Sequence, residues 1–436
     1  MGITVANESI NDIAARAKQA EQDGDWPAAE TCYRECLQLE VSGYYASRLI
    51  NAMSRQSPQK AAAAVRAGER ATERWPTDIY IKNALVWAYY AADVKDVNGA
   101  DAGSIQRAVR ACRRTYELTA DQGTLWIVVG KTLKALKARH EWTTLWELAE
   151  PLNPVELKDE RGTSRDGKRI PSDRQQCCWK RVTGLIETGA FEDALGTVET
   201  YLTWYADDHL LHWWRGRALA GLGGHQDALE AFKKANAISS QWWIQRDIAA
   251  EYEALGDPVQ ALAFYAQAAL ASNRDPEFRI GVFEKLAELL EEAGRDEDAG
   301  LHWALVRTLA HEHEWEKREG KIEESIAVFV GRNPDTPLPS GSEDDLLRPA
   351  KSIWRSVVAD LVTRGCGVVR SIPEGKDFGF IRADDAEPGS RDIYFKLKDS
   401  SPSARVEGTR VTFILGESLD KKSGEIRSKA TDVRPA

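Results

Sequence analysis

Several things are scarce in this sequence, and each shortage removes a class of protein. Only two methionines and six cysteines stand among 436 residues. Scattered cysteines in a chain of this size do not make a disulfide framework. Cys32 and Cys36 lie one helical turn apart with no histidine or second cysteine pair nearby, so they read as small core residues. The adjacent Cys177 and Cys178 and the lone Cys366 give no ligand spacing either. No apolar run approaches the ~18 residues that a membrane span requires. The first residues, Met1 to Glu8, carry neither a basic nor a hydrophobic region, so no secretory signal is expected and the chain is placed in the cytoplasm.

Catalytic motifs are missing as well. No G-x-x-x-x-G-K-S/T phosphate loop, no G-x-S-x-G elbow and no H-E-x-x-H pair occurs. Of seven histidines the densest group is His302, His311 and His313. The last two lie two residues apart on a helix and point in different directions, which reads as a polar face rather than a metal site. Asp384 and Asp385 fall in a turn between strands, where solvated charge suffices. The chain is therefore expected to be no enzyme, with no cofactor and no metal.

Charge is present but uneven. The net charge of −10 argues against a uniformly basic nucleic-acid binder. From Gly365 onward, however, 13 lysines and arginines stand against 12 acids, so the acidity belongs to the first 364 residues. Binding to phosphate would have to rely on a local patch.

The first 330 residues or so are rich in alanine, leucine, glutamate and tryptophan, with apolar positions at helical spacing and short turns bearing glycine or proline. Segments 189–201, 223–235 and 256–268 superimpose without gaps. Each has a glycine in the turn, an alanine five residues on and a larger residue four later. The recurring alanines Ala194, Ala228, Ala261 and Ala299 are separated by 34, 33 and 38 residues. Gly24, Ala29, Tyr33 and Cys36 repeat the pattern, and Trp126, Gly130, Leu133, Trp146, Ala149 and Pro154 fit another copy. A period in the thirties marks stacked helical hairpins, and this pattern resembles the tetratricopeptide repeat (TPR). The copies between about 43 and 120 are irregular. The resemblance implies a concave surface built by the first helix of each hairpin. It would carry Lys131, Lys134, Trp179, Lys180, Trp213, Trp214, Arg217, Trp243 and Arg246, an aromatic and cationic groove for a protein partner.

The expected boundaries are a helical repeat block over 1–154, a polar loop over 155–176 that interrupts the array, and a TPR-like block over 177–331. A proline-, serine- and acid-rich flexible linker follows over 332–349. A short helix over 350–364 then carries Ile353, Trp354, Val357, Val358 and Leu361 on one side, and a barrel spans 365–436.

In that last part, Lys376 to Ile381 and Asp392 to Lys396 read as two adjacent strands. Side chains alternate along a strand, so Phe378 and Phe380 share one face, as do Tyr394 and Lys396. Gly379 between the phenylalanines would leave the sheet open to a flat ligand. Gly367 to Ile381 resembles the opening of a cold-shock domain, usually GTVKWFNxEKGFGFI, without a gap. Asp392 to Phe395 resembles the second ribonucleoprotein motif, and Glu407 to Phe413 the EGxRVxF strand that follows. Where the family usually has rings this chain has Ser371, Ile372 and Leu397, and Lys396 replaces a histidine. The resemblance implies a small all-β barrel of the OB type that binds single-stranded RNA or DNA. Phe378, Phe380 and Tyr394 would stack bases, with Arg370, Lys376 and Lys396 on phosphates or base edges.

The fold class expected is thus an all-α TPR-like superhelical solenoid followed by a small all-β OB-type barrel, and the function that of a non-enzymatic adaptor. Two alternatives stay open: a protein-interaction scaffold whose barrel has lost nucleic-acid binding, or an array that itself binds RNA. Repeat-plus-barrel chains of this kind also resemble accessory components of bacterial defence systems.

Overall fold

The computed structural model describes residues 8–163, 166–167, 169–271, 276–361, 364–386, 390–419 and 426–436. Met1 to Asn7, Ser164, Arg165 and Lys168 of the polar loop, and residues 362 and 363 of the helix expected over 350–364 lie outside them. The chain divides into two compact units, Met1–Ala190 and Phe191–Ala436.

The first unit holds nine helices among its described residues: α1 (Ile10–Asp23), α2 (Trp26–Leu39), α3 (Gly43–Ser54), α4 (Pro58–Arg74), α5 (Ile79–Tyr89), α6 (Ala102–Leu118), α7 (Gln122–Ala138), α8 (Trp142–Ala149) and α9 (Asp173–Glu187). They start where the sequence supplies caps. Ser9, Asp25, Ser57, Asp78, Asp101, Asp121 and Ser172 each accept a hydrogen bond from a first-turn amide, a contact worth about 1 kcal/mol per helix. α5 runs on into a π-turn over Tyr90–Val94. The polar loop contains a two-stranded ribbon, β1 (Gly162–Thr163) with β2 (Arg169–Ile170), and α9 starts within its expected span.

In the second unit the helices are α10 (Phe191–Leu202), α11 (His209–Gly221), α12 (His225–Ile238), α13 (Trp242–Ala254), α14 (Pro258–Leu270), α15 (Ile280–Glu292), α16 (Asp296–Glu312), α17 (Glu316–Arg332) and α18 (Glu343–Leu361). The pairs α11–α12, α13–α14 and α15–α16 pack as hairpins. Their turns pass through Gly223, Gly256 and Gly294, all left-handed with φ between 69° and 81°, a conformation that costs glycine nothing. The repeat alanines Ala228, Ala261 and Ala299 are wholly buried. Close packing is literal at Gly216, where a Cβ would come within 2.5 Å of the Phe232 ring on the other helix of the hairpin.

The stretch expected as a linker over 332–349 is partly helix. α18 begins at Glu343, and Leu346, Leu347 and Ala350 are buried while Leu338 packs against the same core. Its leucines account for the difference: they gain more by burial than a solvated linker would keep. α18 lies on α14 and α16, with Trp354 and Val357 inside. His302, expected on a polar face with His311 and His313, is instead fully buried in this core.

The barrel is closed in the order β3 (Arg364–Ser371), β4 (Phe378–Ala383), β5 (Ile393–Lys396), β7 (Ile426–Pro435), β6 (Arg410–Leu419), and back to β3. All pairings are antiparallel except β5 with β7. Val369, Ile381, Phe395, Val411, Phe413 and Ala430 fill it. Ile414 of β6 packs outward against the helical core, so the barrel is part of the second unit.

Candidate nucleic-acid interface

Strand alternation sets the outer face of the barrel. With Ile381 and Phe395 inside, Phe378, Phe380 and Tyr394 face out, and all three rings are half exposed. Cross-strand pairing puts Phe380 opposite Tyr394 and Phe378 opposite Lys396. The ring centroids of Phe378 lie 5.7 Å from Phe380 and 5.5 Å from Tyr394, and Phe380 lies 6.2 Å from Tyr394. The three rings thus form one contiguous cluster, with Lys396 opposite Phe378 on the neighbouring strand.

The row extends further than the motif. Ser371 pairs with Phe380 on one side, and Lys429 of β7 pairs with Tyr394 on the other. The Lys429 ammonium lies 2.8 Å from Asp399. Sequence reading missed Lys429, because only the parallel β5–β7 pairing brings it beside the rings. Arg370 is exposed at the register shift between Val369 and Ser371, and Lys376 is exposed in the β3–β4 turn. Of the six expected contacts, the structure gathers the three rings and Lys396 tightly, with Arg370 and Lys376 outside the ring cluster.

One expectation changes here. Gly379 does not open the face to a ligand. A Cβ at Gly379 would meet the Phe395 ring at 2.7 Å and the Ser371 carbonyl oxygen at 2.9 Å, so its bare backbone makes room for a core ring. Ile372 and Leu397, standing where the cold-shock pattern has rings, pack against the barrel core instead of extending the patch. Negative charge also comes close: burial first, then Asp377 and Asp399, pushes the Tyr394 hydroxyl pKa up.

The expected groove residues fall in both units. In the first, Lys131 and Lys134 are exposed on α7, and Trp179 and Lys180 are half buried on α9. The Lys131 ammonium is bonded to the Lys95 carbonyl at 2.7 Å and lies 5.7 Å from the Tyr90 ring. In the second, Trp213 packs edge-on against Trp243 at 4.6 Å and donates its indole N–H to Asp247 at 2.6 Å. The Arg217 guanidinium lies 5.2 Å over Trp213, and Arg246 is paired with Asp247. Trp214 does not belong to this face. It is 4% exposed, since neighbouring residues on a helix point about 100° apart and cannot both face one groove.

A cleft of about 560 Å³ lies beside α15, α16 and α17, lined among others by Glu284, Glu288, Trp303, Arg318, Lys321 and Ser325. Arg318 is held by Glu284 at 2.9 Å and Glu288 by Lys285 at 2.9 Å. The Trp303 indole N–H is buried and has no hydrogen-bond partner among the described residues. Among the described residues no group of histidine, cysteine or acid side chains is arranged to hold a metal, and no helix is long and apolar enough to cross a membrane.

These features define a class: a mostly helical array of stacked hairpins joined to a closed five-stranded barrel. A family model described as a domain of unknown function (DUF7017) matches residues 209–324, which include α11 to α16. Among curated proteins nothing matches. Similar solved structures include a tetratricopeptide repeat protein from Parabacteroides merdae, at 10% identity over 64% of this chain and 98% of that one, with a TM-score of 0.31. A thermophilic TPR protein of Thermus thermophilus matches at 16% identity over 64% and 99%, with a TM-score of 0.22. The human IFIT1 dimer with PPP-AAAA matches at 13% identity over 80% of each chain, with a TM-score of 0.38.

Proposed function

We propose that the protein is a non-enzymatic adaptor whose TPR-like array binds a protein partner and whose barrel, of the cold-shock OB type, binds single-stranded RNA or DNA in the cytoplasm. The observation that carries the barrel's part is the outward cluster of Phe378, Phe380 and Tyr394, with centroids 5.5 to 6.2 Å apart. Bases stack on such rings with little regard to sequence, at about 1–3 kcal/mol each. The strand order, with one parallel pairing that closes the sheet, supports the OB assignment. For the array, the cleft beside α15, α16 and α17, with Lys321 and Ser325 in its lining, supports the reading by offering a partner polar contacts.

The test is binding of labelled single-stranded oligonucleotides by the full chain. The Phe378→Ala/Tyr394→Ala double variant is expected to lose that binding while keeping its fold. Unchanged binding would return the barrel to the reading of a scaffold that has lost its nucleic acid. Asp377 and Asp399 near Tyr394 favour that second reading.

A further inference from the structure

α7 presents Lys131, Lys134 and Lys137 at intervals of three residues, all exposed. Three-residue steps keep side chains on one side of a helix, and six residues rise about 9 Å. α9 packs against α7 and adds Lys180, half buried. Burial, then the charges of Lys137 and Lys134, pull the Lys180 ammonium down to a pKa of about 8. None of Lys134, Lys137 and Lys180 is in an ion pair among the described residues, in a chain with 68 acids against 58 lysines and arginines. Like charges gathered without a counterion repel, and a half-buried ammonium adds a desolvation cost. An anion seated among them offsets both. Glu141 is paired with Arg139 and Glu147 with Arg113.

Rings continue the face at the Lys131 end. The Lys131 ammonium lies over Tyr90, the first residue of the π-turn, and Trp87 sits edge-on to Tyr90 at 5.7 Å with 37% of its surface exposed. Cations tracking a phosphate chain beside exposed aromatic rings are the chemistry of single-stranded nucleic-acid binding. A lone phosphate or a phosphorylated side chain would have no use for the rings.

We propose that Lys134, Lys137 and Lys180 of the first unit, with Lys131, Tyr90 and Trp87 beside them, form a site for the phosphodiester backbone of single-stranded nucleic acid, distinct from the rings of the barrel. This reassigns Lys131, Lys134 and Lys180 from a protein groove to a phosphate face. It does not depend on the barrel's binding.

The test is fluorescence anisotropy of the full chain with labelled 20-nucleotide oligouridylate and oligothymidylate across a salt series. Lys134→Glu/Lys137→Glu changes two exposed side chains and is expected to fold normally. It should weaken binding at least tenfold and, at about 0.7 per phosphate contact on a single strand, flatten the log–log salt slope by about 1.4 or more. A Lys180→Met variant should act in the same direction. Wild-type affinity and slope in the lysine variants overturn the proposal, and if Phe378→Ala/Tyr394→Ala alone abolishes binding, the barrel reading stands without it. The converse result, binding lost in the lysine variants and kept in the barrel variant, supports the lysine site and removes the barrel reading. Should inorganic polyphosphate bind through these lysines while neither oligonucleotide binds, the assignment to nucleic acid is overturned.

Discussion

The indole N–H of Trp354 donates to Nε2 of His302 at 2.6 Å, joining α18 to α16 across 52 residues of chain. Nδ1 of the same histidine lies 2.7 Å from the Asp298 carbonyl oxygen, so the proton sits on Nδ1 and Nε2 accepts. The other side of the indole stacks on Phe283, 5.2 Å away and 7° from parallel. One residue thus ties three helices together inside the core of the second unit. Trp354→Ala should cost about 3–5 kcal/mol. Trp354→Phe keeps a ring on Phe283 but leaves His302 Nε2 unsatisfied, and should cost at least the ~1–3 kcal/mol of that lost partner. Urea unfolding followed by circular dichroism measures both, and stability of Trp354→Phe equal to that of the unaltered chain would deny the hydrogen bond its role.

The same pair gives the second unit an acid response. Burial holds His302 at a pKa of about 4, below the usual histidine value of 6.5. Between those values the unfolded chain takes up a proton that the folded one refuses, so stability is complete above about pH 6.5 and falls until about pH 4. The shift corresponds to about 3 kcal/mol at most. Melting temperatures recorded from pH 7 to pH 4 should therefore decline, and His302→Gln should flatten that decline.

A lower window belongs to the first unit. Burial raises the Glu30 pKa, but hydrogen bonds from Lys60, Arg34 and Gln56 outweigh it and hold the carboxyl at about 2. A depressed carboxyl contributes fully above its ordinary value near 4.5 and loses that contribution as pH falls toward 2. Glu30→Gln should remove this part of the acid sensitivity while leaving the step above pH 4.5 in place. Hydrogen exchange of α2 and α4 amides as a function of pH separates the two.

Gly379→Ala tests which way that glycine faces. The added methyl collides with Phe395 inside the barrel, and overpacking of this kind costs about 1–3 kcal/mol. The comparison variant is Gly196→Ala, in a helix with nothing within 4 Å of the added carbon, expected to be neutral or stabilising by up to ~1 kcal/mol. Were Gly379 facing a ligand, the substitution would change oligonucleotide affinity and leave the melting temperature alone.

Removing one ring at a time asks how the platform shares its load. Tyr394 touches both phenylalanines and lies in the middle of the row from Ser371 to Lys429. On the proposed function, Tyr394→Ala should lower single-strand affinity by roughly tenfold or more, from about 1–3 kcal/mol per stacked base. Lys429→Met should reduce it less, since that ammonium is already paired with Asp399. Anisotropy titrations of the two variants against one labelled oligonucleotide give the comparison.

The sequence by itself determined whatever depends on neighbours along the chain. Left-handed glycines at Gly223, Gly256 and Gly294 and buried alanines at Ala228, Ala261 and Ala299 set the hairpins. Period-two alternation was enough to put Phe378 and Phe380 on one face. Contacts between distant residues were decided only by the tertiary structure. Lys429 reaches Tyr394 through a parallel pairing that no local pattern encodes. Gly379 faces inward because the barrel closes around Phe395, Lys180 meets Lys134 and Lys137 because α9 lies on α7, and a stretch with the composition of a linker becomes helix because Leu346 and Leu347 find the core of the second unit. Local propensity fixes which elements form, but burial and charge are properties of the space around a residue, and that space is filled by chain far away in sequence.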